Sequence, residues 1–187
     1  MVHLPPGRLT VHEFRALPFP DDDGARRELL DGRVVVTPIP RPAHQIVVRR
    51  LVTALANHIA PHGLDDCVLP GGDAAIDDGN LLVPDVMVVP PAELSRQWES
   101  IRTLLLAVEV VSPASARRDR VEKRRLYQRS QARTYWVVDV DAQLVEEWLP
   151  ADERPRVVTE ALRWRWEPAA PELVLPIDRL LGALPPA

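Results

Sequence analysis

Two stretches decide the fold of this chain: LLVPDVMVV at residues 81–89 and LLLAVEVV at residues 104–111. Each is a nearly unbroken apolar run of strand length, the pattern of strands covered on both faces, so together they mark the centre of a sheet. Each run also carries one carboxylate, Asp85 in the first and Glu109 in the second. An ionised side chain is almost never fully buried unless it is paired or bound to a metal, because a lone buried carboxylate is strongly penalised or takes up a proton. Two such interruptions on neighbouring strands point to a shared site. Two carboxylates suit a hard cation such as Mg²⁺ or Mn²⁺, which keeps water and accepts phosphate at its remaining positions. The competing reading is structural: each acid pairs with a buried arginine or faces solvent at a strand end.

Outward from this centre the pattern alternates between strand and helix. Residues 10–17 read as a short helix begun by a Thr10 N-cap and closed by Pro18, Pro20 and the acidic run Asp21, Asp22, Asp23. Asp31-Gly32 between Glu28-Leu29-Leu30 and Arg33-Val34-Val35-Val36 is a strong hairpin signal. Ile46, Val47, Leu51, Leu55 and Ile59 recur at helical spacing over residues 43–59, and Pro61 and Gly63 end that helix. A charged helix is predicted over residues 116–130 and a strand over 135–140. A second strand over 144–148 follows as an exposed hairpin partner with outward glutamates. Short strands around Val157-Val158 and residues 163–166 precede a last helical turn at residues 177–181. The fold class is α/β, a mixed β-sheet flanked by helices, in one domain covering residues 1–187.

Composition excludes several classes. The 187 residues are 46% apolar and 27% charged, which describes a globular chain, and no apolar run approaches a membrane span. The start has neither a basic segment followed by an apolar core nor a cleavage site, so the expected location is cytoplasmic. The lone Cys67 supports neither a disulfide nor a thiolate metal site and reads as a small core residue. A net charge of −4 does not suit a protein that coats nucleic acid non-specifically.

Of the 23 basic residues, only Lys123 is a lysine. On the predicted helix Asp119, Lys123 and Tyr127 share a face with Leu126, which turns the lysine inward. There it could orient or deprotonate a metal-bound water and offset charge on phosphate. The plainer alternative is a salt bridge to Asp119. Residues 117–133 hold eight basic groups against two acids, Asp119 and Glu122. Such a stripe attracts a phosphate backbone, or else is a solvated helix face.

The order Glu28-Leu-Leu-Asp-Gly, His44, Pro84-Asp85, Glu109-Val-Val-Ser-Pro, Asp119-x-x-x-Lys123-x-x-x-Tyr127 and Tyr135-Trp136-Val-Val-Asp139 resembles the Uma-two family of endonuclease-like proteins. That family lies within the restriction-endonuclease-like PD-(D/E)xK superfamily. The resemblance implies a restriction-endonuclease-like mixed sheet flanked by helices and Mg²⁺- or Mn²⁺-dependent hydrolysis of phosphodiester bonds in DNA. It implies metal ligation by Asp85, Glu109 and the backbone carbonyl of Val110. The superfamily lysine two residues after the glutamate falls at Val111, so its role moves to Lys123. Glu28 resembles an additional N-terminal acid that holds metal or water, with a hairpin-flanking salt bridge as its alternative. His44 is open between a phosphate or second-metal contact and a helix-capping or surface position.

The expected catalytic set is thus Asp85, Glu109, Lys123 and Glu28, with nucleic acid as partner, no membrane, and a homodimer compatible with the reading. The alternative function is a catalytically inactive nucleic-acid- or protein-binding domain of the same fold, which Val111 favours.

Overall fold

The computed structural model describes residues 7–20, 24–95 and 101–185; the expected helix-closing acids Asp21, Asp22 and Asp23 lie outside the described residues. Helix α1 (Val11–Arg15) starts from a capping box in which the Thr10 hydroxyl accepts from the Glu13 N–H and the Glu13 carboxylate accepts from the Thr10 N–H. Strands β1 (Arg26–Leu30) and β2 (Arg33–Thr37) pair antiparallel about Asp31-Gly32. Both turn residues have positive φ, +47° and +73°, the geometry that Asp-Gly favours in a two-residue hairpin.

Helix α2 (Pro42–Ile59) buries Val47, Leu51, Leu55 and Ile59, spaced four apart and therefore in one stripe. Each such burial stabilises by roughly 1.5–3 kcal/mol. A tighter turn at Ala60–His62 continues the helix to Gly63, whose φ of +67° stops it.

The run at residues 81–89 is not one strand. After β3 (Val68–Leu69) and β4 (Ala74–Asp77), the chain makes β5 (Asn80–Leu82), breaks at Pro84-Asp85, and resumes as β6 (Val86–Val88). Pro84 has no N–H for a ladder, so the break falls where pairing cannot continue. The two halves enter different sheets: β5 joins a four-stranded sheet of order β2-β1-β5-β4, whereas β6 joins a six-stranded one.

Short helix α3 (Pro91–Leu94) leads on to β7 (Leu106–Val111). A π-helical segment (Arg118–Lys123) runs into α4 (Arg124–Arg129), followed by β8 (Tyr135–Asp139), β9 (Leu144–Trp148) and β10 (Arg156–Val158). The larger sheet has the order β10-β9-β8-β7-β6-β3 and is mixed, since β7 and β8 run parallel while its other pairs are antiparallel. Strands β11 (Ala161–Trp164) and β12 (Leu173–Pro176) form a separate hairpin before α5 (Ile177–Leu181).

Strand β9 is not the exposed partner expected from its glutamates, because β10 covers its other edge. Glu146 accepts from Arg120 at 2.6 Å, and Glu147 accepts from the Trp136 indole at 3.0 Å and from Arg156 at 2.8 Å. Among the described residues no helix is long and apolar enough to cross a membrane.

Strand alternation sorts the core into layers. Leu106, Val108 and Val110 of β7 pack with Val47, Leu51, Leu55 and Ile59 of α2 on one face of the larger sheet. Ala107 and Val111 face the other way and pack with Leu126 and Tyr127 of α4 and with Leu30 and Leu82 of the smaller sheet. Leu29 and Leu81 turn outward to meet Phe14 of α1. The space between the two sheets is thus roofed by the π-helical segment and α4, and Glu28 and Glu109 both point into it.

The hairpin that delivers Glu28 depends on Gly32, where a Cβ would stand 2.6 Å from the Arg8 Cβ and 3.0 Å from its Cα, at positive φ. Gly32→Ala is expected to lower the unfolding free energy by about 1–3 kcal/mol. Urea denaturation with an unchanged m-value checks this.

Candidate active site

Glu28, Asp85, Glu109 and Asp119 are all buried, each at 5% exposure or less, and so is Lys123 at 1%. They arrive from four places in the chain. Glu28 comes from β1, Asp85 from the link between β5 and β6, Glu109 from β7, and Asp119 and Lys123 from the π-helical segment. Asp119 and Lys123 are both buried on the π-helical segment, and the α-helical turn that follows adds Tyr127. Among the expected positions, Asp85 is the one corrected in setting, since it stands in a break and not within a strand. Its N–H still donates to the Val108 carbonyl at 2.9 Å, which fixes it beside β7.

The Lys123 ammonium lies 2.7 Å from Glu28 Oε1, 2.8 Å from Glu109 Oε1 and 3.8 Å from Asp119 Oδ1. Burial acts to lower its pKa, but Glu109, Glu28 and Asp119 together outweigh burial and raise it above the ordinary lysine value. In this setting the surrounding acids favour the ammonium form of Lys123. Val111, two residues after Glu109, points to the same side of β7, and Lys123 reaches that side from the helix.

Glu109 Oε1 also accepts from the Tyr127 hydroxyl at 3.0 Å. Burial pushes the Glu109 carboxyl well above the usual range, against the pull of Lys123 and with added repulsion from Asp85, Asp119 and Glu28. Glu28 Oε1 accepts from the Val83 N–H at 2.8 Å, whereas Glu28 Oε2 and Asp119 Oδ1 are buried without a hydrogen-bond partner.

Asp85 lives in a different environment. Its Oδ2 accepts from the Val110 N–H at 2.7 Å and lies 3.0 Å from His44 Nε2, and its Oδ1 lies 2.5 Å from Arg26 Nη2. Burial raises the Asp85 carboxyl, but the His44 contact, the Arg26 guanidinium and the Val110 N–H outweigh it and hold the group down at about 2. His44 is thus in contact with Asp85, with its side chain partly exposed. Arg26 was not singled out in the sequence. The available signal was strand alternation, because Arg26 stands two residues before Glu28 on β1 and shares its face.

The charge balance of the cluster is negative. Four buried carboxylates face Lys123 and Arg26, with Arg118 only at the rim, 4.0 Å from Asp119. Oxygen donors, a negative excess and an orphaned Glu28 Oε2 suit a hard divalent cation. Among the described residues no three Asp, Glu, His or Cys side chains close on one point as a ready metal cage. A cation here would rest on two carboxylates, a backbone carbonyl and water.

The predicted basic stripe is largely tied up internally. Arg118 donates to Thr37, Arg120 to Asp139 and Glu146, Arg129 to Asp77 and Arg133 to the Trp166 carbonyl, while Arg124 lies over the Trp148 ring at 4.8 Å. Arg117, Arg125, Arg129 and Arg133 are exposed.

Two antiparallel-rich sheets meeting over a buried acid and lysine cluster define a mixed α/β protein with helices flanking the sheets. The chain belongs to the Uma2 family, described as "Putative restriction endonuclease", which matches residues 11–178. A solved structure described as a putative nuclease belonging to DUF820, from Anabaena variabilis ATCC 29413, shares the fold with a TM-score of 0.70. That likeness is at 20% identity and covers 93% of this chain and 98% of the other. No curated protein matches the chain.

Lys123→Met is expected to destabilise the fold by about 3–5 kcal/mol, because three buried acids lose their shared counter-ion. The deficit should shrink as pH falls. A Glu109 carboxyl raised above 4.5 means that the folded state binds more protons than the unfolded state over that window, so stability falls as pH rises through it. Denaturant midpoints of both chains between pH 5 and 8, a window of roughly the usual stability maximum, check the sign.

Proposed function

We propose that this chain is a divalent-metal-dependent nuclease, cutting phosphodiester bonds in DNA. The observation that carries the reading is the Glu28, Asp85, Glu109 and Asp119 cluster, buried and short of positive charge around one lysine. Asp85, Glu109 and the Val110 carbonyl would hold Mg²⁺ or Mn²⁺. Bound there, the cation would supply an activated water and stabilise charge on the scissile phosphate.

The protein's own groups have distinct tasks in this reading. Lys123 and Tyr127 grip Glu109 Oε1 and leave its second oxygen turned toward Arg26 and the Asp85 side. The Val110 N–H and His44 grip Asp85 Oδ2 in the same way. Both carboxylates are therefore pre-oriented before any ligand arrives, the condition for electrostatic catalysis without reorganisation. Glu28 acts through Lys123, as a positioning residue.

A panel of single- and double-stranded DNA and RNA, incubated with Mg²⁺ or Mn²⁺, tests the proposal. Cleavage of DNA should require the cation, and Asp85→Asn, close in shape but lacking the charge, should lower the rate at least about 100-fold. Cation binding by calorimetry with no cleavage of any strand would turn the assignment to the inactive binding domain.

A further inference from the structure

Arg26 stands where two requirements collide. Its guanidinium lies 2.5 Å from Asp85 Oδ1 and 4.0 Å from Glu109 Oε2, and its Nη1 donates to the Val83 carbonyl at 3.1 Å. The carboxylates it spans are the pair that a divalent cation would need. A guanidinium and a metal ion at the same Asp85 oxygen would repel each other and compete for it.

Arginine does not lose its proton in proteins, so this group cannot yield by neutralising as a lysine could. It can yield only by moving. The surroundings allow that, since the Arg26 side chain is 23% exposed whereas Asp85 and Glu109 are at 2% and 3%. Its neighbours at the Asp85 end include His44, itself 15% exposed, so the guanidinium sits on the open side of the acids and Lys123 on the closed side. Lys123, at 2% exposure and held by three carboxylates, has no such freedom.

We propose that Arg26 is the resident counter-ion of the cation site: it holds Asp85 and Glu109 apart from solvent in the metal-free chain, competes with the divalent cation for them, and turns outward when the cation binds. The inference rests on the metal-centre reading above and adds a residue to it. A guanidinium that only props up the fold would, on removal, loosen the acids and weaken metal binding. A competing guanidinium does the opposite. Because competition is reciprocal, whatever the arginine contributes in holding the acids is subtracted from the cation's affinity.

Calorimetric titration of the intact chain and of Arg26→Met with Mn²⁺ and Mg²⁺ separates these cases. Competition predicts affinity about tenfold tighter in Arg26→Met, with Arg26→Lys between the two, and a lower melting temperature for the metal-free variant that added Mn²⁺ largely restores. Unchanged or weaker affinity in Arg26→Met, with binding retained by the unsubstituted chain, overturns the role of Arg26 and leaves the metal centre standing. Absence of binding in both chains overturns the metal centre and this inference with it. If Arg26→Met does not fold, the unsubstituted chain still decides: the Arg26 side-chain Nε–H resonance should shift on saturation with Mg²⁺, and a resonance that stays in place refutes release.

Discussion

A fully buried ammonium ion, Lys123, is the constraint around which this molecule is organised. Taking such a group out of water is affordable only when opposite charge meets it at contact distance. Here the answering charge comes from Glu28, Glu109 and Asp119, none of which is adjacent in sequence to another. The smaller sheet, the larger sheet and the π-helical segment must all be in place before the ammonium is compensated. Docking of the two sheets and assembly of the site are consequently one event, which ties the integrity of the site to the integrity of the core around Leu30, Leu82, Ala107 and Leu126.

Much of this was legible from residue types. The Asp-Gly hairpin, the apolar stripe of α2 and the central strand β7 follow from local chemistry and periodicity, and each appears where expected. Asp85 and Glu109 stood out because a charge inside an apolar run demands an explanation. The division of residues 81–89 did not stand out, although Pro84 was its marker. An apolar run looks the same whether it stays in one sheet or crosses to another, and only the pairing partners of β5 and β6 reveal the crossing. The π-helical turn likewise left no sign: both Asp119 and Lys123 face inward, which helical spacing already allowed.

Electrostatic partners were the least legible part. In sequence, the arginines of residues 117–133 read as a face for phosphate, yet most find acids, carbonyls or rings within the chain. The 27 acids and 23 basic residues are numerous enough for pairing at a distance in sequence, and composition does not say which pairs form. Arg26 shows the converse. Its residue type carries no mark of the pairing, and the fold of β1 beside β5 is what brings it to Asp85. The structural alternative for Asp85, an arginine partner, is therefore realised, beside the other buried acids.

The two central acids are driven in opposite directions by their settings. Asp85, on the side of Arg26, His44 and the Val110 N–H, is held at about 2 and stays ionised. Glu109, deeper and surrounded by Glu28, Asp119 and Asp85, is pushed well above the carboxylate range despite Lys123. Paired carboxylates whose environments separate their affinities for protons are a mark of sites that handle charge. Of the two, Glu109 is the acid whose ionised form burial opposes most. Further positive charge placed between the two acids would let both ionise, and the guanidinium of Arg26 already lies along that line at 2.5 Å from one and 4.0 Å from the other. Because it lies closer to Asp85 than to Glu109, it satisfies the first acid and leaves the second short of charge. Four carboxylates against Lys123 and Arg26 leave the cluster negative even with its own cations in place, and the shortfall falls on the Glu109 side.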